Sequence, residues 1–243
     1  MTLIKLKDVC YSYPNTCGIK NLSININKGE FLCLMGANGS GKSTLLQILS
    51  GLKTTDNGQY FFKNSEITEK YLSNNKQRQK LHQQIGMVFQ NTDVQLFNPS
   101  VYEEIAFGPK QLGLSQNKII KRVNDCLKLT NCEKFRDRIP YQLSGGEKKR
   151  VALASVLALN PEILLLDEPL NGLTISAQRE MLNLIRELQE AGKTIIMASH
   201  NYQQIKDFAQ RFIIFKENHT VDADLTQIDI KNSPDRQKQL MNL

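Results

Sequence analysis

Residues 36–43 read Gly-Ala-Asn-Gly-Ser-Gly-Lys-Ser, a G-x-x-x-x-G-K-S pattern set directly behind the apolar run Phe31-Leu32-Cys33-Leu34-Met35. A triphosphate needs several backbone N–H donors converging on it, and glycine lets the backbone come that close. Gly36, Gly39 and Gly41 supply this freedom. The segment from Ser43 to Leu49 has helical composition, so phosphates are expected at a helix N-terminus, where orphan N–H groups and the dipole favour anions. Lys42 is expected to reach the β- and γ-phosphates and Ser43 to ligate magnesium, with Asn38, Ser40 and Thr44 completing the nucleotide site. A second chemical feature is Asp167-Glu168 at the end of Ile163-Leu164-Leu165-Leu166. Two carboxylates at the C-terminal edge of a buried parallel strand lie where α/β sheets bind ligands. Asp167 is expected to bind the metal, through water, and Glu168 to polarise the water attacking the γ-phosphate. Leu143-Ser144-Gly145-Gly146-Glu147 is a second glycine turn opening a second helix.

These groups need a sheet to hold them. Residues 4–9 and 21–27 alternate apolar and polar side chains, which predicts an antiparallel β-layer at the N-terminus. Beyond the glycine loop the pattern gives a short strand at 59–62, a polar and exposed connection over 63–84, and an apolar strand at 85–89. Helical patterning over 102–129 reads as an insertion, placed at about 99–158. The chain then alternates: helix 147–159, strand 163–166, helix 177–190, strand 194–198, helix 202–209, strand 212–215. Strands alternating with helices predict an α/β fold with a mainly parallel sheet covered on both faces. Residues 1–216 are read as one domain and 217–243 as a short polar C-terminal tail.

Composition narrows the classes. A chain of 243 residues can bury a sizeable core without covalent staples. The five cysteines form an odd set with no C-x-x-C pair, read as reduced thiols and not as a metal site. No run approaches the roughly 18 apolar residues of a membrane span, and no apolar leader follows a charged start. Attachment to a membrane is therefore expected only through a partner. The net charge of +7 raises nucleic acid or an anionic membrane surface as partners, but the basic residues are dispersed, which reads as a solvated surface plus a nucleotide site, and no nucleic acid is expected.

The glycine loop, the Leu-Ser-Gly-Gly signature and the Asp167-Glu168 pair occur in the order and approximate spacing of the ATP-binding cassette ATPases, and the chain resembles that family over roughly residues 3–216. The resemblance implies a P-loop NTPase fold and a head-to-tail dimer. Each ATP would lie between one subunit's phosphate loop and the other's Ser144, Gly145 and Gly146, an anion site read here as having no local partner for its charge. It further implies that Gln90 contacts magnesium and the attacking water, that His200 contacts the γ-phosphate, and that Tyr13 stacks on adenine.

The stretch from Gln90 through Asp93, Gln95, Leu96 and Phe97, continuing into Glu104-Ile105-Ala106-Phe107-Gly108, is similar to the ATPases of energy-coupling factor importers, including the cobalt and nickel branch. That likeness implies uptake of a transition-metal ion or a vitamin. It also implies a membrane coupling protein, a substrate-binding membrane subunit, a second identical or different ATPase, and a peripheral place on the cytoplasmic face of the membrane. Another cassette transporter class is the alternative, with a ribosome- or nucleic-acid-directed ATPase behind it. Thr92 departs from the usual proline. Thr174 and Ile175 stand where the family has Asp-Pro; hydrolysis is expected to survive this and coupling between the two sites to be altered.

Overall fold

Residues 1–241 are described by a computed structural model, and two sheets organise them. β1 (Thr2–Tyr13) and β2 (Thr16–Asn27) make a long antiparallel hairpin turning at Pro14 and Asn15. Along β2, Leu22, Ile24 and Ile26 are buried while Ser23, Asn25 and Asn27 are exposed, the period of two that a one-sided sheet requires. β3 (Phe31–Met35) passes through the glycine loop into α1 (Lys42–Leu49). β4 (Asn57–Phe62) and β5 (Ser65–Glu66) complete the antiparallel layer in the order β2-β1-β4-β5.

The connection over 63–84, expected to be plain exposed chain, instead carries α2 (Glu69–Ser73) and α3 (Asn75–Gln84). Local capping makes these helices. The Thr68 hydroxyl accepts from the Tyr71 amide at 3.1 Å, and Asn74 Oδ1 accepts from the amides of Lys76 and Gln77 at 3.1 and 3.2 Å. Each helix buries a single leucine, Leu72 and Leu81, too few to show as apolar periodicity.

After β6 (Ile85–Val88) come α4 (Val101–Gln111), α5 (Gln116–Leu129) and α6 (Gly145–Leu157). The helical pattern over 102–129 is split at Gly113, whose φ of 68° ends α4. β7 (Ile163–Asp167), α7 (Ile175–Glu190), β8 (Thr194–Ala198), α8 (Tyr202–Ile205) and β9 (Arg211–Phe215) continue the alternation. The helix expected to reach 209 stops at Ile205. A tight turn follows, with the Phe208 and Ala209 amides both bonded to the Ile205 carbonyl, and it brings Gln210 N–H to the carbonyl of Phe31 at 2.9 Å beside β3.

The segment from 217, expected as a polar tail, is also different; its last two residues lie outside those described. β10 (Val221–Thr226) pairs antiparallel with β9, and α9 (Gln227–Lys231) and α10 (Pro234–Met241) follow. Ile230 and Leu240 are buried in the main core. The segment reads as polar because β10 is an edge strand, half-covered along its length.

The second sheet has the order β10-β9-β3-β8-β7-β6, parallel except for β10. β3, β7 and β8 are buried at every residue, as strands covered on both faces must be. Phe31, Cys33 and Met35 face one core with α4 to α7, and Leu32 and Leu34 face the other with α1 and the antiparallel layer. The P-loop fold, the antiparallel layer and the helical insertion agree with the sequence expectation.

Candidate nucleotide site

Parallel strands open their carboxyl ends on one edge, and the chain leaves four of them with a group of interest: the glycine loop after β3, Gln90 after β6, Asp167 at the end of β7 and His200 after β8. Tyr13, Asn38, Gly39, Gly41, Lys42, Ser43, Thr44, Gln90, Glu168 and His200 line one cavity of about 540 Å3. Gly36, Ser40 and Asp167 are not among the lining residues; Gly36 and Asp167 are hydrogen-bonded to the lining residues Lys42 and Ser43, and Ser40 lies in the same loop.

The loop has its form because only glycine fits it. Gly41 has a φ of 110°, and a Cβ there would lie 2.4 Å from the Gly18 carbonyl oxygen. Lys42 Nζ donates to the carbonyls of Gly36 and Ala37 at 2.8 and 2.9 Å. Burial pushes its pKa down, and the carboxylates of Glu168 and Asp167 work against that shift. The Ser40 hydroxyl is buried with no hydrogen-bond partner. A cationic nitrogen folded onto loop carbonyls and an orphaned hydroxyl are groups that an anion would satisfy.

Ser43 Oγ donates to Asp167 Oδ1 at 2.9 Å, joining the two residues expected at the metal although 124 positions separate them. Burial raises the Asp167 pKa, and the Ser43 hydrogen bond opposes this. A hydroxyl, a buried carboxylate and the Gln90 amide nearby form a hard oxygen donor set, which fits magnesium. Glu168 follows with a φ of 47°, unusual for a residue other than glycine. His200 Nδ1 lies 2.9 Å from Glu168 Oε1. An ionised carboxylate only accepts, so Nδ1–H donates to Glu168 and Nε2 is the ring nitrogen this pair leaves unused.

Ser144, Gly145 and Gly146 do not join this cavity. They line a separate one of about 300 Å3 with Gly172, Leu173, Thr174 and Met181. The expectation that this helix start has no local partner for its charge is corrected by Glu147. Its Oε2 accepts from the Ser144 amide at 2.8 Å and the Ser144 hydroxyl at 2.9 Å, closing a capping box. Thr174 caps α7, accepting from the Ala177 amide at 3.3 Å, and Ile175 beside it is 80% exposed.

Residues that sequence reasoning missed complete the geometry. Lys149, buried on α6, donates from Nζ to the carbonyls of Glu168 at 3.0 Å and Asn171 at 2.6 Å. Only its place two residues past Glu147 in a basic run hinted at this, and a basic run reads as solvated surface. Cys17 and His219 line the nucleotide cavity, with no sequence signal for either. Beyond Gln90 the loop is pinned by buried Glu104, whose Oε2 accepts from the amides of Phe97 and Asn98, both at 2.9 Å. Gln95 Oε1 accepts from the Phe89 amide at 3.1 Å, and Lys148 pairs with Asp93 at 2.6 Å. Val94 and Phe97 stand 71% and 68% exposed, and the Phe97 ring meets Phe107 edge-on at 5.3 Å.

Comparison with known proteins extends these observations. The ABC transporter family model matches residues 19–171. The nickel import ATP-binding protein LarO of Lactiplantibacillus plantarum is 66% identical over 241 residues, covering 99% of this chain and 100% of LarO. The energy-coupling factor transporter ATP-binding protein EcfA of Methanococcus maripaludis is 39% identical, covering 91% of this chain and 78% of its own. Among solved structures, CbiO1 of Clostridium perfringens, described as part of the ABC transporter complex CbiONQ, superposes with a TM-score of 0.83 at 33% identity, covering 100% of this chain and 99% of that one. A dimeric ATP-binding cassette bound to ADP and Pi gives 0.84 at 30% identity, over 93% and 99%.

Proposed function

The chain belongs to the ABC transporter family, an ATP-binding and ATP-hydrolysing cassette, and on that premise we propose that it drives a membrane importer of nickel, with cobalt as the neighbouring substrate. The geometric observation that carries the ATPase reading is the Glu168–His200 pair facing Lys42 across one cavity. Nickel over a vitamin follows from the 66% identity to a nickel import protein along essentially the whole chain.

In this reading Gly39, Gly41, Asn38, Ser40 and Thr44 wrap the phosphates, and Lys42 leaves the loop carbonyls for the β- and γ-phosphate oxygens. Tyr13 takes the adenine. Ser43, Asp167 and Gln90 would hold magnesium, whose bound charge neutralises the triphosphate. Glu168 polarises the attacking water, with His200 fixing its carboxylate and turning Nε2 toward the γ-phosphate. Ser144, Gly145 and Gly146 occupy a different face from Lys42, which supports a second ATPase subunit arranged head to tail, each presenting its signature to the other's nucleotide.

No helix among the described residues is long and apolar enough to cross a membrane. A peripheral place on the cytoplasmic face, with a membrane coupling protein and a substrate-binding membrane subunit as partners, is supported by the exposed Val94 and the exposed Phe97–Phe107 pair, which follow Gln90 in the chain. The test is to purify the tagged chain from gently solubilised native membranes and identify its companions. Two small multi-span membrane proteins, with nickel uptake lost on deletion of this chain, are expected. Ribosomal or DNA-associated companions alone would overturn the importer reading.

A further inference from the structure

The turn from Lys216 to Thr220, between β9 and β10, is closed by Lys216 N–H on the Thr220 carbonyl at 2.9 Å and His219 N–H on the Lys216 carbonyl at 3.0 Å. It is also tied to the hairpin, because Lys20 N–H donates to the His219 carbonyl at 2.9 Å. That bond sets His219 beside Lys20, two residues along β2 from Gly18, and His219 lines the cavity together with Tyr13, Cys17 and Gly18. The reacting groups Gln90, Glu168 and His200 leave the sheet from β6, β7 and β8, whereas this turn extends β9 on the other side of β3.

His219 is an expensive choice for such a turn. Its φ is 67°, a conformation in which glycine has no steric penalty and a β-carbon does. Its Nδ1 is shut off from solvent and has no hydrogen-bond partner, and the ring carries no other hydrogen bond among the described residues. Backbone hydrogen bonds to Lys216 and Lys20 hold the turn, but nothing within the described residues rewards the ring, and His219 borders the nucleotide cavity.

We propose that His219 is a nucleotide-binding residue that reads the nucleoside end of ATP, its imidazole exchanging hydrogen bonds with the ribose hydroxyls while Tyr13 holds the base. An imidazole offers one donor and one acceptor when neutral, and a ribose hydroxyl likewise does both, so the pairing needs no particular tautomer. The inference rests on the nucleotide reading of the cavity.

The test uses His219→Gly, which suits the positive φ and is expected to leave the nucleotide-free melting temperature at or above the parent's. Binding of ATP, 2′-deoxy-ATP and 3′-deoxy-ATP is measured by calorimetry on both proteins. The parent is expected to prefer ATP over at least one deoxy analogue by about fivefold, the scale of one hydrogen bond. His219→Gly is expected to bind ATP about fivefold more weakly and to lose that preference. Unchanged ATP affinity with the same preference would overturn the inference, and so would an equal loss for all three nucleotides. A parent that binds none of them would instead overturn the nucleotide reading itself.

Discussion

Glu168 sits in a left-handed backbone conformation that costs on the order of 1 kcal/mol for a residue with a β-carbon. Its neighbours hold it there: its N–H donates to the Ala198 carbonyl at 3.1 Å, and its carbonyl accepts from Lys149. Glu168→Gln is therefore expected to fold and bind ATP with near-parent affinity while phosphate release falls by about 10²- to 10³-fold. A variant that hydrolyses at the parent rate would remove Glu168 from the catalytic role. Glu147 bears on the opposite face. The Ser144 amide bonded to its carboxylate depresses its pKa, so its contribution to stability is complete above the usual carboxylate range and disappears as pH falls through the lowered value. Urea titrations of Glu147→Gln should show a loss on the order of half a kcal/mol at pH 7, the screened size of an exposed capping charge, that closes toward zero in acid. The same substitution removes a negative charge beside Ser144 and should strengthen ATP-dependent association between subunits. Lys42, Ser43, Asp167 and Glu168 were legible in the sequence because a local motif or a strand end defines each. Lys149 and Glu104 were not, since each is defined by what lies across the fold: the Lys149 partner Asn171 is 22 positions away and on a different element.

Among the elements, α6 holds two features of the candidate sites on neighbouring residues: its N-terminus presents Ser144, Gly145 and Gly146, and its second turn sends Lys149 into the segment behind β7. Lys149 ties the backbone of Glu168 and Asn171 to α6, and on the proposed reading it is a positioning residue for Glu168. Burial lowers its pKa, with Glu168 working in the other direction. Lys149→Met keeps the apolar stem but leaves two carbonyls without their donor, at a cost of roughly 1–3 kcal/mol each in the buried limit. Turnover is expected to fall about tenfold with little change in the KM for ATP, and Lys149→Arg should restore part of it, a split that general loss of stability would not produce. Elements whose apolar period is strong, such as β3, β7, β8 and α7, could be read from sequence to within a residue or two. α2 and α3 could not, because caps rather than an apolar stripe hold them. The helix before β9 was overextended because its sequence suits a helix, and tertiary pairing with β3 ends it early.

For the molecule as a whole, residues 217–241 belong to the fold that precedes them. A chain ending at Lys216 would uncover the β9 edge and forfeit the burial of Ile230 and Leu240, worth about 1.5–3 kcal/mol each, against a total stability of about 5–15 kcal/mol. Its melting temperature should drop by well over 10 °C or the protein should aggregate. The truncation would also remove His219 from the nucleotide cavity. The bonds that pin the loop beyond Gln90 have a mechanical meaning at this scale. Gln95 holds Phe89, Asp93 holds Lys148, and Glu104 holds Phe97 and Asn98. A segment fastened at three points has little slack, so it behaves as a pushrod and not as a spring. On the proposed reading a shift of Gln90 is expected to reach Phe97 instead of being absorbed on the way, and by thermodynamic reciprocity a load pressed on Phe97 from outside would bias the residues proposed to face the γ-phosphate by the same free energy.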